Sequence, residues 1–352
     1  MALDATFVYT SVCFWVVALL IVYWAANSDK AGAGNETPAA TRGVMNYYSH
    51  ASSTPMQDEI LLAPFDCPKN LTQNIKQGVV TGVEVTVHNG RLDRELVSAS
   101  SCRSPIEVLD TRGMLLNAHS SAVTDFWDQE QITSVHYPEM QRFSQQLTAC
   151  DRTAVAAHAL RGVATEMGRP AAFFVHNDFS DRLKELYLEL IDGGERTIVS
   201  DPCEDGGLGI SADELRTGRL CVINYWRPMS AQPLQRHHLA VIDSTTMQGE
   251  EVVRFPHYMA GSKAFGSFSK FFRIPTSPHI NVGVRPNPAH KWHYFPGMTR
   301  DEVLAFKNYD SAAPQPQRGI GCHTSFDDPN TPPSAPIRES IEIRVLCFWH
   351  AP

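Results

Sequence analysis

The chain lacks any excess or block of positive charge. Its 352 residues carry 30 lysines and arginines against 38 acidic side chains, a formal net charge of −8. Nucleic-acid binding needs a clustered cationic face, so this balance argues against it. Cysteine is present without pattern: Cys13, Cys67, Cys102, Cys150, Cys203, Cys221, Cys322 and Cys347 include no CxxC pair. That speaks against a zinc ribbon or a disulfide scaffold and leaves free thiols in a reducing compartment. No internal repeat is visible. Charge is missing altogether from residues 6–26, "TFVYTSVCFWVVALLIVYWAA". A bilayer-spanning helix needs roughly 20 apolar residues, and Trp15, Tyr23 and Trp24 suit an interfacial end.

What is present suggests three regions. Residues 1–28 read as a membrane anchor rather than a cleaved signal, because no basic segment precedes the apolar run. Residues 29–58 begin small, polar and Gly/Ala-rich ("NSDKAGAGNETPAATRG") and read as a flexible linker. Residues 59–352 read as one folded domain. Lys30 and Arg42 follow the apolar run and predict a single-pass protein with its bulk in the cytosol. The sequons at Asn35 and Asn70 point the other way.

Within the folded part, "VVTGVEVTVHNGRL" alternates with period two up to Asn-Gly, a hairpin signal. "YPEMQRFSQQLTAC" and "FSDRLKELYLELI" carry apolar residues at helical spacing. "RLCVINYWRP", "HHLAVIDS", "NVGVRP", "KWHYFP" and "SIEIRVLCFW" are short strand-like runs between turn residues. Many short strands with flanking helices predict a mainly β jelly-roll core.

The stretch "AAFFVHNDFSDRL" ends a strand-like run with His176 and Asp178. Residues i and i+2 on a strand share a face, so the pair either shares a metal or hydrogen-bonds internally. The pair alone is common. It becomes informative beside a second histidine and an anion-binding arginine, since three ligands on one face of an Fe(II) octahedron leave the opposite positions open. "GCHTSFDDPNTPPSAPIRESIEIRVLCFW" offers His323, and an R-x-S pair of Arg338 and Ser340 suited to gripping a carboxylate. Arg338, Ser340, Glu342 and Arg344 fall on one strand face. His237 and His238 compete with His323 as third ligand.

The stretches "VLDTRG", "AVTDFWDQEQITSVHYPEM", "AAHALRG", "VHNDFS", "INYWRP", "LAVIDS", "NPAHKWHYFPGMTRDEVLAFKNYDS" and "HTSFDDPNTPPSAPIRESIEIR" run in order through residues 108–344. In them the chain resembles the fungal and bacterial Fe(II)/2-oxoglutarate oxygenases of the gibberellin desaturase, aspergillic acid hydroxylase and cephem methoxylation type. The resemblance implies a double-stranded β-helix, iron on His176, Asp178 and His323, 2-oxoglutarate on Arg338 with Ser340, O₂ as oxidant, and hydroxylation or desaturation of a small secondary metabolite, which the membrane anchor suggests is lipophilic. His323, and not His237 or His238, is the histidine the family pattern matches; the latter two are then expected at the solvent or the entrance.

Lesser candidates for the substrate pocket are Asn224, Trp226 and Arg227, the alternating His290, Trp292 and Tyr294, and Arg161. Asp310 and Ser311 read as structural, and Asp327 and Asp328 as turn formers. Other classes remain to be weighed: a silent or non-redox jelly-roll that binds or cyclises a small molecule, a tethered interaction protein, and a zinc hydrolase.

Overall fold

A computed structural model describes residues 38–48, 80–162, 171–257 and 279–351. The compact unit runs from Ala39 to Pro352. It is built from β1 (Ala40–Tyr48), β2 (Val80–Asn89), β3 (Met114–Ala118), β4 (Arg152–Arg161), β5 (Arg219–Pro228), β6 (His238–Ile242), β7 (Val252–His257), β8 (His279–Val284), β9 (Trp292–Tyr294), β10 (Glu302–Asp310), β11 (His323–Phe326) and β12 (Ser340–Trp349). The longest helices among the described residues are α1 (Pro105–Arg112), α2 (Tyr137–Thr148) and α3 (Leu183–Asp192).

One five-stranded sheet has the order β3-β10-β5-β12-β4 and is antiparallel throughout. The second has the order β1-β2-β9-β6-β11, parallel only between β2 and β9. The two pack face to face: Leu239 and Val241 of β6 share one buried cluster with Trp226, Leu304 and Phe306. A short extended segment containing His176 continues the second sheet. His176 and His323 exchange backbone hydrogen bonds of 3.1 and 2.9 Å, and Asn177 bridges to Val282 of β8.

Local chemistry sets the helices. Ser104 and Glu107 form a capping box, Pro105 opens α1, and Gly113 at φ 82° ends it in the left-handed region. In α2 the buried Met140 and Leu147 lie two turns apart and cover Ile223, Tyr225, Ile343 and Val345 on the outer face of the first sheet. The amphipathic α3 turns Leu183, Tyr187 and Leu190 toward Val222, Leu346 and Phe348. Val222 and Leu346 share the inward face with Asn224 and Arg344 by strand alternation. Helix α3 therefore plugs one end of the space between the sheets and leaves the polar end for chemistry.

Two sequence expectations are corrected. Residues 40–48 are not linker: every residue of β1 pairs with β2, and Thr41, Gly43, Met45 and Tyr47 are buried while Arg42 and Val44 face out. The Gly/Ala-rich approach masks this period of two. The Asn-Gly signal does not make a hairpin either. Asn89 accepts a hydrogen bond from Arg91 N–H and starts a 3₁₀ turn, and β2 finds its partners in β1 and β9.

No helix among the described residues is long and apolar enough to cross a membrane. The expected anchor at residues 6–26 lies outside the described residues.

Candidate metal centre

Strand pairing places one nitrogen each of His176 and His323 and one oxygen of Asp178 within 4.8 Å of one another. The imidazole rings lie 4.4 Å apart, centroid to centroid. Both rings are aimed by their own backbone. His176 Nδ1 lies 2.7 Å from the Phe174 carbonyl and His323 Nδ1 2.9 Å from the Gly321 carbonyl. A carbonyl only accepts, so each Nδ1 carries the proton and each Nε2 presents its lone pair.

Burial pushes the His176 imidazolium down to about 4, with His323 adding to the shift, and burial lowers His323 as well. Both rings are therefore neutral near pH 7. For Asp178, burial alone would raise the carboxyl, but Arg344, His323 and His176 hold it far below the usual carboxylate range. Two neutral imidazoles and a carboxylate are a donor set for a divalent transition metal.

The segment owes its rigidity to Asn177, fully buried between the two ligand residues. Its Nδ2 donates to the carbonyls of Phe179 (2.7 Å) and Asn308 (2.8 Å), and its Oδ1 accepts from Gly321 N–H (2.9 Å). Gly321 must be glycine, because a Cβ there would lie 1.8 Å from the Lys307 carbonyl oxygen. Neither residue stood out in the sequence. The only signal was the position of Asn177 between His176 and Asp178, which strand alternation sends to the opposite face.

Around the ligands, cross-strand register decides which side chains share the chamber. Arg344 pairs with Asn224, Glu342 with Trp226, Ser340 with Arg161, Phe306 with Asn224, and Leu304 with Trp226. All of these point inward with Asp178, to which Asn224 donates at 2.7 Å. The Phe306 ring lies 4.8 Å from that of His323.

Arg338 is buried. Its Nη1 donates to the His237 carbonyl and to Ser325 Oγ, both at 2.8 Å, and its guanidinium carbon sits 5.4 Å over the Trp226 ring. Arg338 Nε and Ser340 Oγ, both buried, have no hydrogen-bond partner, and no carboxylate among the described residues pairs with Arg338. Burial pushes its pKa down to about 9, helped by Arg161. Buried donors left open cost free energy. A charged fork and a hydroxyl in this state fit an anionic ligand's carboxylate.

Several expected pocket residues lie elsewhere. Arg227 alternates away from Trp226, and its Nη1 donates to the His119 carbonyl at 3.2 Å on the α2 side. Trp292 and Tyr294 pair with Ile242 and Ala240, on the face of the second sheet opposite Val241 and His323. There Trp292 Nε1 donates to Tyr47 Oη at 2.8 Å, while His290 Nδ1 lies 3.2 Å from that oxygen and His290 Nε2 2.8 Å from Glu251. Trp292 and His290 thus meet Tyr47 of β1, Tyr294 packs on His238 and Phe326, and none of the three lines the chamber. His238 is buried against Tyr294 and Phe326 on that same far face, not solvent-facing. His237 Nε2 lies 3.2 Å from Asp327. Asp310 is structural as expected, paired with Arg219 and Lys307.

A jelly-roll that converges two neutral imidazoles and a carboxylate beside a buried, unpaired guanidinium has the architecture of a metal-dependent oxidoreductase. More particularly, residues 45–348 match the family described as "Oxidoreductase/YMDC permease-like domain", and the chain belongs to that family. It is 25% identical over 273 residues to alpha-ketoglutarate-dependent dioxygenase phiK of a fungal species, covering 76% of this chain and 88% of that one. It is 28% identical over 265 residues to hydroxylase/desaturase CTB9 of Cercospora beticola, covering 68% and 72%. The solved iron and alpha-ketoglutarate-dependent endoperoxidase NvfI superposes with a TM-score of 0.59 at 20% identity, over 90% of this chain and 100% of that one. That last likeness establishes the double-stranded β-helix.

Proposed function

We propose that this chain is an Fe(II)/2-oxoglutarate-dependent oxygenase that hydroxylates or desaturates a small, lipophilic secondary metabolite. The relatives named as an alpha-ketoglutarate-dependent dioxygenase and a hydroxylase/desaturase support the reaction class. The observation that carries the reading is the orphaned pair Arg338 Nε and Ser340 Oγ, on the chamber wall shared with His176, Asp178 and His323. A hydrolytic zinc site has no use for that clamp.

In this reading His176, Asp178 and His323 hold the iron, and Arg338 with Ser340 grips the distal carboxylate of 2-oxoglutarate. When bound, iron, 2-oxoglutarate and O₂ together supply oxidation of an unactivated C–H bond, with succinate and CO₂ as by-products. The protein's own work is orientation and exclusion of water. The Phe174 and Gly321 carbonyls aim both imidazoles, Trp226 stacks on the clamp, and α3 seals one end. Leu304, Phe306 and Trp226 give the substrate side an apolar wall, which suits a lipophilic substrate. Arg161, directly across from Ser340, adds a further cation to that wall beside Arg344.

The test is anaerobic addition of Fe(II) and 2-oxoglutarate to the full-length protein. The weak visible charge-transfer band of chelated iron is expected. A folded protein that binds no iron and gives no band would remove the oxygenase reading in favour of a silent jelly-roll.

Residues 6–26 would tether this domain to a membrane, with the catalytic unit in the cytosol. The full-length chain should then stay with membranes through alkaline carbonate extraction, and a variant lacking residues 1–28 should not. Full release of the intact chain refutes the tether.

A further inference from the structure

We propose that Arg344, braced by Glu342, is a positioning residue that restricts Asp178 to ligation through a single oxygen. The inference rests on the iron reading above and goes on to assign how the carboxylate is presented.

The two oxygens of Asp178 have different surroundings. Oδ1 lies 3.7 Å from His176 Nε2, on the side where the ligand atoms converge. Oδ2 is turned away and taken by the scaffold. It accepts from Asn224 Nδ2 at 2.7 Å and from Arg344 Nε at 2.9 Å, with Asn308 Nδ2 at 3.5 Å. Those donors come from three strands, β5, β12 and β10, so the carboxylate cannot swing without breaking contacts to all three. The Asp178 backbone N–H is fixed too, donating to Asn308 Oδ1 at 3.1 Å.

Arg344 is itself held at its other end. Its Nη2 lies 2.6 Å from Glu342 Oε1, and both side chains are buried. Strand alternation puts Glu342 and Arg344 on the chamber face, so this ion pair stands inside the barrel beside the ligands. A charge-assisted bond from a guanidinium is roughly twice as strong as a neutral one. A second metal bond through Oδ2 would have to displace it.

Counting positions shows why this matters. An octahedral ion has six. Two imidazoles and one carboxylate oxygen use half, leaving two for a chelating 2-oxo acid and one for O₂. A carboxylate bound through both oxygens would consume the position O₂ needs. The Arg344 and Asn224 contacts thus keep the site at three protein donors, and Glu342 keeps Arg344 turned onto Asp178 Oδ2.

The test compares the full-length wild type with Arg344→Gln, Glu342→Gln and Asn224→Ala. Two readouts serve: anaerobic Fe(II) affinity, and the visible spectrum of the Co(II)-loaded protein, which reports coordination number. Arg344→Gln should weaken Fe(II) binding about 10–100-fold, the usual scale for partners of metal ligands, and alter the Co(II) spectrum. Glu342→Gln should shift both in the same direction by less. A folded Arg344→Gln protein with wild-type affinity and an unchanged Co(II) spectrum would overturn the inference and leave the oxygenase reading standing. If Arg344→Gln does not fold, Asn224→Ala decides, because it removes one neutral donor to the same oxygen: weaker Fe(II) binding with an altered Co(II) spectrum supports the inference, and an unchanged pair refutes it. Wild-type protein that binds no Fe(II) refutes the oxygenase reading itself, and with it this one.

Discussion

Replacing His323 with alanine is expected to abolish iron retention and all 2-oxoglutarate turnover while the domain stays folded. His323 is one of three converging donors, and the other two sit on a single short segment. Burial keeps its imidazole neutral at physiological pH, and the Gly321 carbonyl fixes the proton on Nδ1, so Nε2 is ready to bind without rearrangement. Neither neighbouring histidine, His237 or His238, is placed to substitute for it. His238 points to the opposite face of its sheet, and His237 Nε2 is engaged at Asp327. The backbone bridge between residues 176 and 323 does not depend on the ring, so far-UV circular dichroism should be near wild type. Iron content after desalting and succinate release are the measurements. Wild-type iron in this variant would move the third ligand elsewhere.

Arg338→Leu should separate ligand binding from stability, with opposite tendencies. In the ligand-free protein the guanidinium is buried, its Nε lacks a partner, and its pKa is pushed down to about 9. A buried charge without a counter-ion costs folding free energy, so an apolar residue of similar reach should be tolerated well. The lost bonds to the His237 carbonyl and Ser325 Oγ work the other way, which predicts a melting temperature close to wild type. Binding of 2-oxoglutarate should suffer far more. Removing one partner of a buried charge pair costs about 2–5 kcal/mol, or roughly 30- to several thousand-fold in affinity.

Thermal shift makes the contrast visible. At about 100 times its Kd a ligand stabilises the wild type by about 2.7 kcal/mol, and most of that gain should vanish in the variant at the same concentration. An equal ligand-induced shift in both proteins would place the 2-oxoglutarate carboxylate elsewhere.

How much of this was readable from sequence follows from range. Period-two alternation is local, and it correctly placed Ser340, Glu342 and Arg344 on one face, as it did Asn224 with Trp226, whereas Arg338 lies before β12 and outside that register. It also put Trp292 and Tyr294 on one face, with His290 read beside them although it lies before β9. What alternation cannot say is which face of which sheet looks at the metal, and so those three were assigned to a chamber that lies on the other side of β9. Arg227 failed by the same parity that served Trp226. Strand β1 was hidden because its approach is rich in glycine and alanine, and the Asn-Gly turn misled because β2 pairs with strands far from it in sequence.

The sequence alone marked His176, Asp178 and His323 as candidate ligands, the R-x-S pair as a candidate clamp, and helices α2 and α3, since residue type and short-range spacing are local. Only the tertiary structure decided that Asn177, Asn308, Arg344 and Gly321 bind the two ligand segments into one rigid centre. Those contacts join the ligand segment to β10, β12 and the loop before β11 across more than a hundred residues. Hydrogen bonds of that kind are set by where strands meet in space, and no spacing along the chain encodes them.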